Sequence, residues 1–312
     1  MSNIKIVDSH CDTLLKINSG EIDFFKNAAA HVDLPKLSQS GVVIQFMAVY
    51  IHSVYKPGLS LRRSLELINN FLDIAKDPKL IHIKNKEDLE IVISKYPEKT
   101  GILLSLEGAE PIESIPMLDI FAHLGVRSIG LTWNHRNMIA DGCNETGGLT
   151  SFGKQIVNRM TELGILCDIS HLSPASFWDV ISITQNPLIA SHSNCHALCP
   201  HLRNLTDNQI KEIAKTGGII SITFYPDFIG LKQDVNSIVA HIRHVTDLVG
   251  VDHVGIGSDF DGADFSINNL EDSSRLPNLI KVLKQNGFND QEIAKVMGNN
   301  IIGLLKKTLP RR

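Results

Sequence analysis

Polar side chains that could bind metal ions or carry protons follow several short apolar runs of this 312-residue chain. They are His10, Asp12, Glu107, His171, His192 and Asp259, and Tyr225 follows a further run in the same way. A single histidine in such a place is usually a hydrogen-bonded structural residue. Three imidazoles and three carboxylates that all follow such runs favour one shared site. This nitrogen and oxygen ligand set suits Zn²⁺, with Mn²⁺ or Co²⁺ as alternatives.

The number of candidate ligands indicates two metal ions rather than one. A single catalytic zinc ion takes about three protein ligands and a water molecule. Glu107 lies between the two halves of the set, and a carboxylate can bridge two ions ~3.5–4 Å apart. We therefore expect His10, Asp12 and Glu107 to bind one ion. We expect Glu107, His171 and His192 to bind the other.

Asp259 is the member of the set that neither ion requires. Two divalent ions keep a net positive charge after their two carboxylate ligands are counted. A water molecule that bridges them is therefore acidic enough to be a hydroxide near neutral pH. We expect Asp259 to orient that water as a general base and later to protonate the leaving amine.

The apolar runs predict strands, and the segments between them have helical periodicity. Runs rich in Val, Ile and Leu without strict alternation are typical of strands covered on both faces. Helical spacing continues over Leu61–Ala75 and Phe152–Leu163, helix starts are indicated at Ser173 and Thr206, and a C-terminal helix is predicted over Asp290–Leu305. The predicted strands are Ile4–Val7, Val42–Tyr50, Ile102–Leu106, Ser128–Thr132, Leu166–Ile169, Leu188–Ala190, Ile219–Phe224 and Val254–Gly257.

Repeated strand–helix units without a Pro-, Gly- or Ser-rich linker predict one α/β domain over residues 1–312. The simplest such architecture is a (β/α)8 TIM-like barrel with a C-terminal helix. A doubly wound sheet is the alternative, but its phosphate-binding glycine motif is incomplete here, because Phe260 follows Gly255-Ile256-Gly257 where a third glycine belongs. In a barrel, the carboxyl ends of all strands share one rim, so the polar residues would converge there.

Composition and charge exclude several classes of protein. The net charge is −4, from 30 basic and 34 acidic residues, so no overall field attracts nucleic acid. The most apolar run, Gly41–Ile51, is broken by Gln45 and is shorter than the ~20 residues that span a membrane. No secretory apolar core follows Met1, and the five cysteines form no CxxC pair. We therefore expect a cytoplasmic protein.

Several longer motifs occur in a specific order along the chain. They are Asp8-Ser9-His10-Cys11-Asp12-Thr13, His31-Val32-Asp33-Leu34-Pro35-Lys36-Leu37, Leu106-Glu107-Gly108-Ala109, Asp168-Ile169-Ser170-His171-Leu172-Ser173, Ala190-Ser191-His192-Ser193, Arg203-Asn204 and Gly257-Ser258-Asp259-Phe260-Asp261-Gly262. Their order and spacing resemble the renal (membrane) dipeptidase family of zinc peptidases over nearly the whole chain. The resemblance implies a barrel with two Zn²⁺ per chain that cleaves dipeptides with free amino and carboxyl termini, including L-Xaa-D-Xaa. It also favours a homodimer.

The resemblance further implies contacts with the substrate. Arg203 would bind the free carboxylate of the dipeptide, which the planar guanidinium fork matches bidentately. Tyr225 would lie near the same carboxylate. Animal members of the family have a histidine directly after a Leu-Thr pair, but Trp133 occupies that place here and His135 follows it. Either His135 turns inwards to bind the carbonyl oxygen, or the metal ions alone polarise it.

Other functions are compatible with the same barrel, because function resides in the site rather than in the fold. An N-acyl amino acid deacylase, a deaminase or a phosphotriesterase is the main alternative. Loss of Arg203 would abolish dipeptide turnover but need not affect a neutral ester. A non-catalytic metal- or peptide-binding protein is the remote alternative. The expected partner is a small dipeptide substrate, with neither nucleic acid nor membrane involved.

Overall fold

Nine β-strands form in this computed structural model, which describes residues 4–26, 29–184, 186–264 and 266–311. All of them run parallel to their neighbours. The strands are β1 Ile6–Asp8, β2 Val42–Tyr50, β3 Leu80–His82, β4 Thr100–Glu107, β5 Val126–Gly130, β6 Leu166–Asp168, β7 Ile189–Ala190, β8 Ile219–Ile222 and β9 Val254–Ile256. Each of the eight apolar runs singled out in the sequence overlaps one of these strands, although β1, β4 and β5 extend beyond the predicted bounds.

Eight of these strands close into a barrel, which confirms the predicted (β/α)8 architecture. The order around it is β2, β1, β9, β8, β7, β6, β5 and β4, and β4 pairs with β2 to complete the circle. The two longest strands are buried along almost their whole length, because side chains fill the barrel on one face and helices cover the other.

The short strand β3 has no counterpart in the sequence prediction. It pairs with Thr100–Ile102 at the beginning of β4, whereas β5 pairs with Leu104–Glu107 farther along the same edge. It therefore adds to the amino-terminal end of the barrel without belonging to its closed circle. Three residues give too short a pattern for a strand to be recognised in the sequence.

Helices cover the outside of the barrel and begin where capping residues satisfy their first N–H groups. The Ser173 side chain accepts a hydrogen bond from the N–H of Ser176, and Thr206 forms a capping box with Gln209. The helices are α1 Thr13–Asn18, α2 Leu34–Ser40, α3 Ser60–Ile74, α4 Lys86–Lys95, α5 Ile115–His123, α6 Ser151–Leu163, α7 Pro174–Ile183, α8 Asp207–Lys215, α9 Pro226–Ile229, α10 Val235–Val249, α11 Leu276–Gln285, α12 Asp290–Ala294 and α13 Asn300–Thr308.

The C-terminal helix differs from the uninterrupted one that the sequence predicts. A π-helical turn over Lys295–Asn299 separates α12 from α13, and α13 continues to Thr308. This turn presses Gly298 against the chain at the start of β1, so that a β-carbon added there would lie 2.4 Å from the Lys5 carbonyl oxygen. The close approach of helix and strand at this widened turn requires glycine, because a side chain would overlap the strand backbone.

None of the helices in the described part of the chain is long and apolar enough to span a bilayer.

Candidate active site

The barrel brings the predicted metal ligands together at the carboxyl ends of its strands. His10 and Asp12 follow β1, Glu107 is the last residue of β4, His171 lies beyond β6 and His192 follows β7. All five side chains are buried. Residues from distant parts of the chain are neighbours here because parallel strands end on the same rim.

Two candidate metal ligands, His10 and Asp12, form one group with the Oε2 atom of Glu107. The Nε2 atom of His10 lies 3.5 Å from Glu107 Oε2 and 3.5 Å from Asp12 Oδ2. Both contacts are too long for direct hydrogen bonds but suit ligands that share an ion.

Two further candidate metal ligands, His171 and His192, lie near the other oxygen of the same carboxylate. Glu107 Oε1 lies 2.9 Å from His171 Nε2 and 3.6 Å from His192 Nε2. The two imidazole Nε2 atoms point at each other across 2.9 Å. Each oxygen of Glu107 thus faces its own pair of donor side chains.

Unsatisfied buried atoms show that this cluster fits cations. His10 Nε2 and Asp12 Oδ1 are buried and have no hydrogen-bond partner among the described residues. Burial and the neighbouring Glu107 carboxylate raise the pKa of Asp12 to about 8. Divalent ions would offset this concentrated negative charge and would satisfy both orphan atoms.

The histidines around Glu107 differ in their electrostatics. Burial, and then the nearby Arg203, lower the pKa of His171 well below its usual range. Burial and the proximity of His10 also lower the pKa of His192. Both rings are therefore neutral near pH 7, as an imidazole ligand must be. Burial alone would lower the pKa of His10, but Glu107 and Asp12 raise it well above its usual range.

Two of the imidazoles are oriented by residues that the sequence analysis did not identify as positioning groups. Asn134 Oδ1 lies 2.7 Å from Nδ1 of His171 and accepts its hydrogen. Ser191 Oγ lies 2.7 Å from Nδ1 of His192, and this hydroxyl donates to the carboxylate of Asp168. A bonded Nδ1 leaves the lone pair of Nε2 directed into the cluster.

Asp259 lies beside the cluster on a constrained turn after β9. Its Oδ1 atom is 3.8 Å from His10 Nε2, and its backbone has a positive φ of 64°. Asp8 secures this turn by accepting hydrogen bonds from the N–H and hydroxyl of Ser258. Gly262 leaves room for the carboxylates, because a β-carbon there would lie 2.6 Å from Asp259 Oδ1. Such backbone strain is common at functional sites.

A cavity of about 590 Å³ opens onto the cluster. Arg203 and Tyr225, the residues predicted to bind the substrate, line it. Arg203 is 5% exposed, and its Nη2 donates to the His192 carbonyl oxygen. Its Nε is buried without a hydrogen-bond partner among the described residues. A buried guanidinium with donor capacity to spare suits an anionic ligand group.

His135 lies outside this cavity. Its side chain is 61% exposed, its Nδ1 lies 3.4 Å from Glu145, and it borders a separate cavity of about 460 Å³. Trp133 borders both cavities, and Asn134 borders the central one. The loop after β5 thus directs Trp133 and Asn134, rather than His135, towards the cluster.

Comparison with known proteins gives the family. The family model for membrane dipeptidases, peptidase family M19, matches residues 1–309. An uncharacterised dipeptidase of Schizosaccharomyces pombe is 32% identical over 97% of this chain and 80% of its own length. Dipeptidase tcpJ of Claviceps purpurea is 31% identical over 90% of this chain and 70% of its own length.

Solved structures agree with this assignment. A metallopeptidase of Rhodobacter sphaeroides, crystallised with a phosphinate mimic of the dipeptide L-Ala-D-Ala, has a TM-score of 0.90 and 27% identity, covering 98% of this chain and 99% of its own. The chain therefore belongs to the membrane dipeptidase family, peptidase family M19, and is a peptide-bond hydrolase.

Proposed function

We propose that this protein is a binuclear zinc dipeptidase that hydrolyses dipeptides with both termini free, including L-Xaa-D-Xaa. The observation that carries the proposal is the position of Glu107, whose two carboxylate oxygens face different donor pairs. His10 and Asp12 would hold one ion together with Glu107. His171 and His192 would hold the second. When bound, the ions supply Lewis acidity and an acidic water molecule.

The residues around the cluster have distinct roles in this proposal. Arg203 binds the substrate carboxylate through its guanidinium, whose Nε has no partner among the described residues, and Tyr225 borders the same cavity. This anchoring holds the scissile carbonyl in the cavity that Glu107 also lines and restricts the substrate to two residues. The Asp259 carboxylate accepts a proton from the attacking water and returns it to the leaving amine nitrogen. His135 has no role here, because its ring borders the neighbouring cavity.

The stereochemical part of the proposal is supported by the Rhodobacter sphaeroides metallopeptidase. That protein was crystallised with a mimic of L-Ala-D-Ala and covers almost the whole of this chain. Hydrolysis of L-Ala-D-Ala and L-Ala-L-Ala by the zinc-loaded enzyme tests this part. Turnover of the L,D-dipeptide is expected. Strict L,L-selectivity over a broad panel would contradict it.

The role of Arg203 is tested with a substrate that has no carboxylate. We expect kcat/KM for L-Ala-D-Ala amide to be about 100-fold below that for the free dipeptide, because charge-assisted hydrogen bonds are lost. Arg203→Met should lower kcat/KM for the free dipeptide by a similar factor and leave that for the amide unchanged. Arg203→Lys should be intermediate, because it keeps the charge without the fork. Equal rates on acid and amide in the wild type would contradict this role.

A further inference from the structure

Tyr50 lies across the rim from the arginine that would bind the substrate carboxylate, and Trp133 is its aromatic neighbour. Tyr50 is the last residue of β2 and is paired in register with Glu107 of β4. In the closed barrel, β2 is four strands away from β7 in either direction, and Arg203 lies in the segment that follows β7. β5 and β9 are likewise four strands apart, so Trp133, which follows β5, lies on the opposite side of the rim from Asp259, which follows β9.

The two rings form one wall of the central cavity. The centroids of Tyr50 and Trp133 are 5.4 Å apart, and the Trp133 centroid lies 6.2 Å from that of His171. Both residues border the cavity. Such a tilted aromatic pair, with 57° between the ring planes, offers a rigid apolar surface that loses little conformational entropy on binding a ligand.

A half-buried ion pair lies against this wall from outside the cavity. The Lys56 ammonium lies 5.5 Å from the Tyr50 ring centroid and 5.6 Å from that of Trp133. The same ammonium is 2.8 Å from Glu110 Oε1. The rings thus already have one cation close to them, and a second cation on them would meet like charge.

We propose that Tyr50 and Trp133 form the subsite for the side chain of the substrate's N-terminal residue and favour apolar, above all aromatic, side chains. The inference rests on the proposed function, because it requires the carboxylate of a dipeptide to lie on Arg203. The N-terminal residue then extends across the cluster towards the opposite side of the rim. Dipeptides that begin with Phe or Leu are preferred over those that begin with Ala, and those that begin with Lys are poor substrates.

Steady-state kinetics on a matched panel tests the subsite. The panel is Phe-Ala, Leu-Ala, Ala-Ala and Lys-Ala, assayed with the zinc-loaded wild type and with Trp133→Ala. The ratio of kcat/KM for Phe-Ala to that for Ala-Ala is expected to fall about tenfold in the variant. Trp178→Ala is the control, because this second tryptophan is 43% exposed on helix α7. It should leave the ratio unchanged.

A binding readout separates this inference from catalysis. Trp133 and Trp178 are the two tryptophans of the chain, so Trp178→Phe leaves Trp133 as its only indole. With Asp259→Asn added to prevent turnover, Phe-Ala should change the fluorescence of the metal-loaded protein more strongly than Ala-Ala. Where Trp133→Ala does not fold, Trp133→Leu replaces it in the kinetic assay.

The outcomes distinguish the two proposals. Active wild type and variant with the same Phe-Ala to Ala-Ala ratio would overturn the subsite and leave the dipeptidase function intact. Equal fluorescence responses to the two peptides would also overturn the subsite. A metal-loaded wild type that hydrolyses no member of the panel would overturn the proposed function, and the subsite with it.

Discussion

The second ring nitrogens of His171 and His192 have chemically different partners. His171 relies on the neutral amide of Asn134, whereas His192 relies on the Ser191 hydroxyl, which donates to the Asp168 carboxylate. A partner of this kind fixes the tautomer and the angle of a ligand ring. The geometry of the cluster thus depends on groups that lie outside it.

Replacing the amide of Asn134 should weaken metal binding without changing any proposed ligand. We expect Asn134→Leu to lower the affinity for zinc by about 10- to 100-fold, because His171 Nδ1 loses its acceptor. Asn134→Asp keeps an acceptor and serves as the matched control. Titration against a chelator of known affinity measures both. Equal affinities in Asn134→Leu and the wild type would refute this orienting role.

The sequence allowed candidate ligands to be predicted, but not their supports. His10 and Glu107 stand out because charged groups directly follow apolar strands. Asn134 carries no such signal, since its amide reaches His171 only through the course of the loop after β5. The same loop places His135 at the surface, and spacing alone left its orientation open.

At the level of elements, strands were easier to predict than the places where elements touch. Apolar residues dominate β2 and the Ile102–Leu106 part of β4, so the sequence pattern sufficed. The π-helical turn over Lys295–Asn299 includes Gly298, which packs closely against the chain before β1, and local sequence does not record that contact.

The contact at Gly298 has a measurable energy. Gly298→Ala should destabilise the fold by about 1–3 kcal/mol, because the new methyl group overlaps the Lys5 carbonyl oxygen. Gly303→Ala is the control within α13, where an added β-carbon meets no atom within 4 Å. It should stabilise the protein by up to about 1 kcal/mol. Urea unfolding measures both, and an equal effect of the two substitutions would contradict the proposed contact.

Helix α10 carries a buried histidine that makes stability depend on pH. His241 Nδ1 accepts a hydrogen bond from the N–H of Cys195, and burial lowers the pKa of the ring to about 4. Its folded pKa lies below the unfolded value of 6.5, so the unfolded chain binds more protons between these values. The stability contributed by neutral His241 is therefore complete above pH 6.5 and is lost as the pH falls towards 4.

Substitution of His241 isolates this contribution. Between pH 7 and pH 5, the wild type should lose about 2 kcal/mol more stability than His241→Gln, whose amide can accept the same hydrogen bond without titrating. Urea unfolding at the two pH values gives the difference. Identical losses in both proteins would show that His241 does not titrate as inferred.

For the whole molecule, closure of the barrel joins residues far apart in sequence into one site. His10 and Asp259 lie at opposite ends of the chain and become neighbours because β1 pairs with β9. Repeated strand–helix units predicted this closure, since parallel strands need crossover connections. The homodimer that the family resemblance implies and the cytoplasmic location expected from the sequence remain predictions. Light scattering of the purified protein tests the homodimer.

The metal content of the wild type and of Glu107→Ala, measured on the same samples as dipeptide turnover, tests the central claim most directly. We expect about two zinc ions per wild-type chain. The variant should lose both stoichiometric zinc binding and dipeptide turnover, because each oxygen of Glu107 faces a separate pair of candidate ligands. Glu110→Ala, which removes a carboxylate outside the cluster, should keep both ions. One zinc ion per active wild-type chain, or full turnover in Glu107→Ala, would contradict the binuclear account.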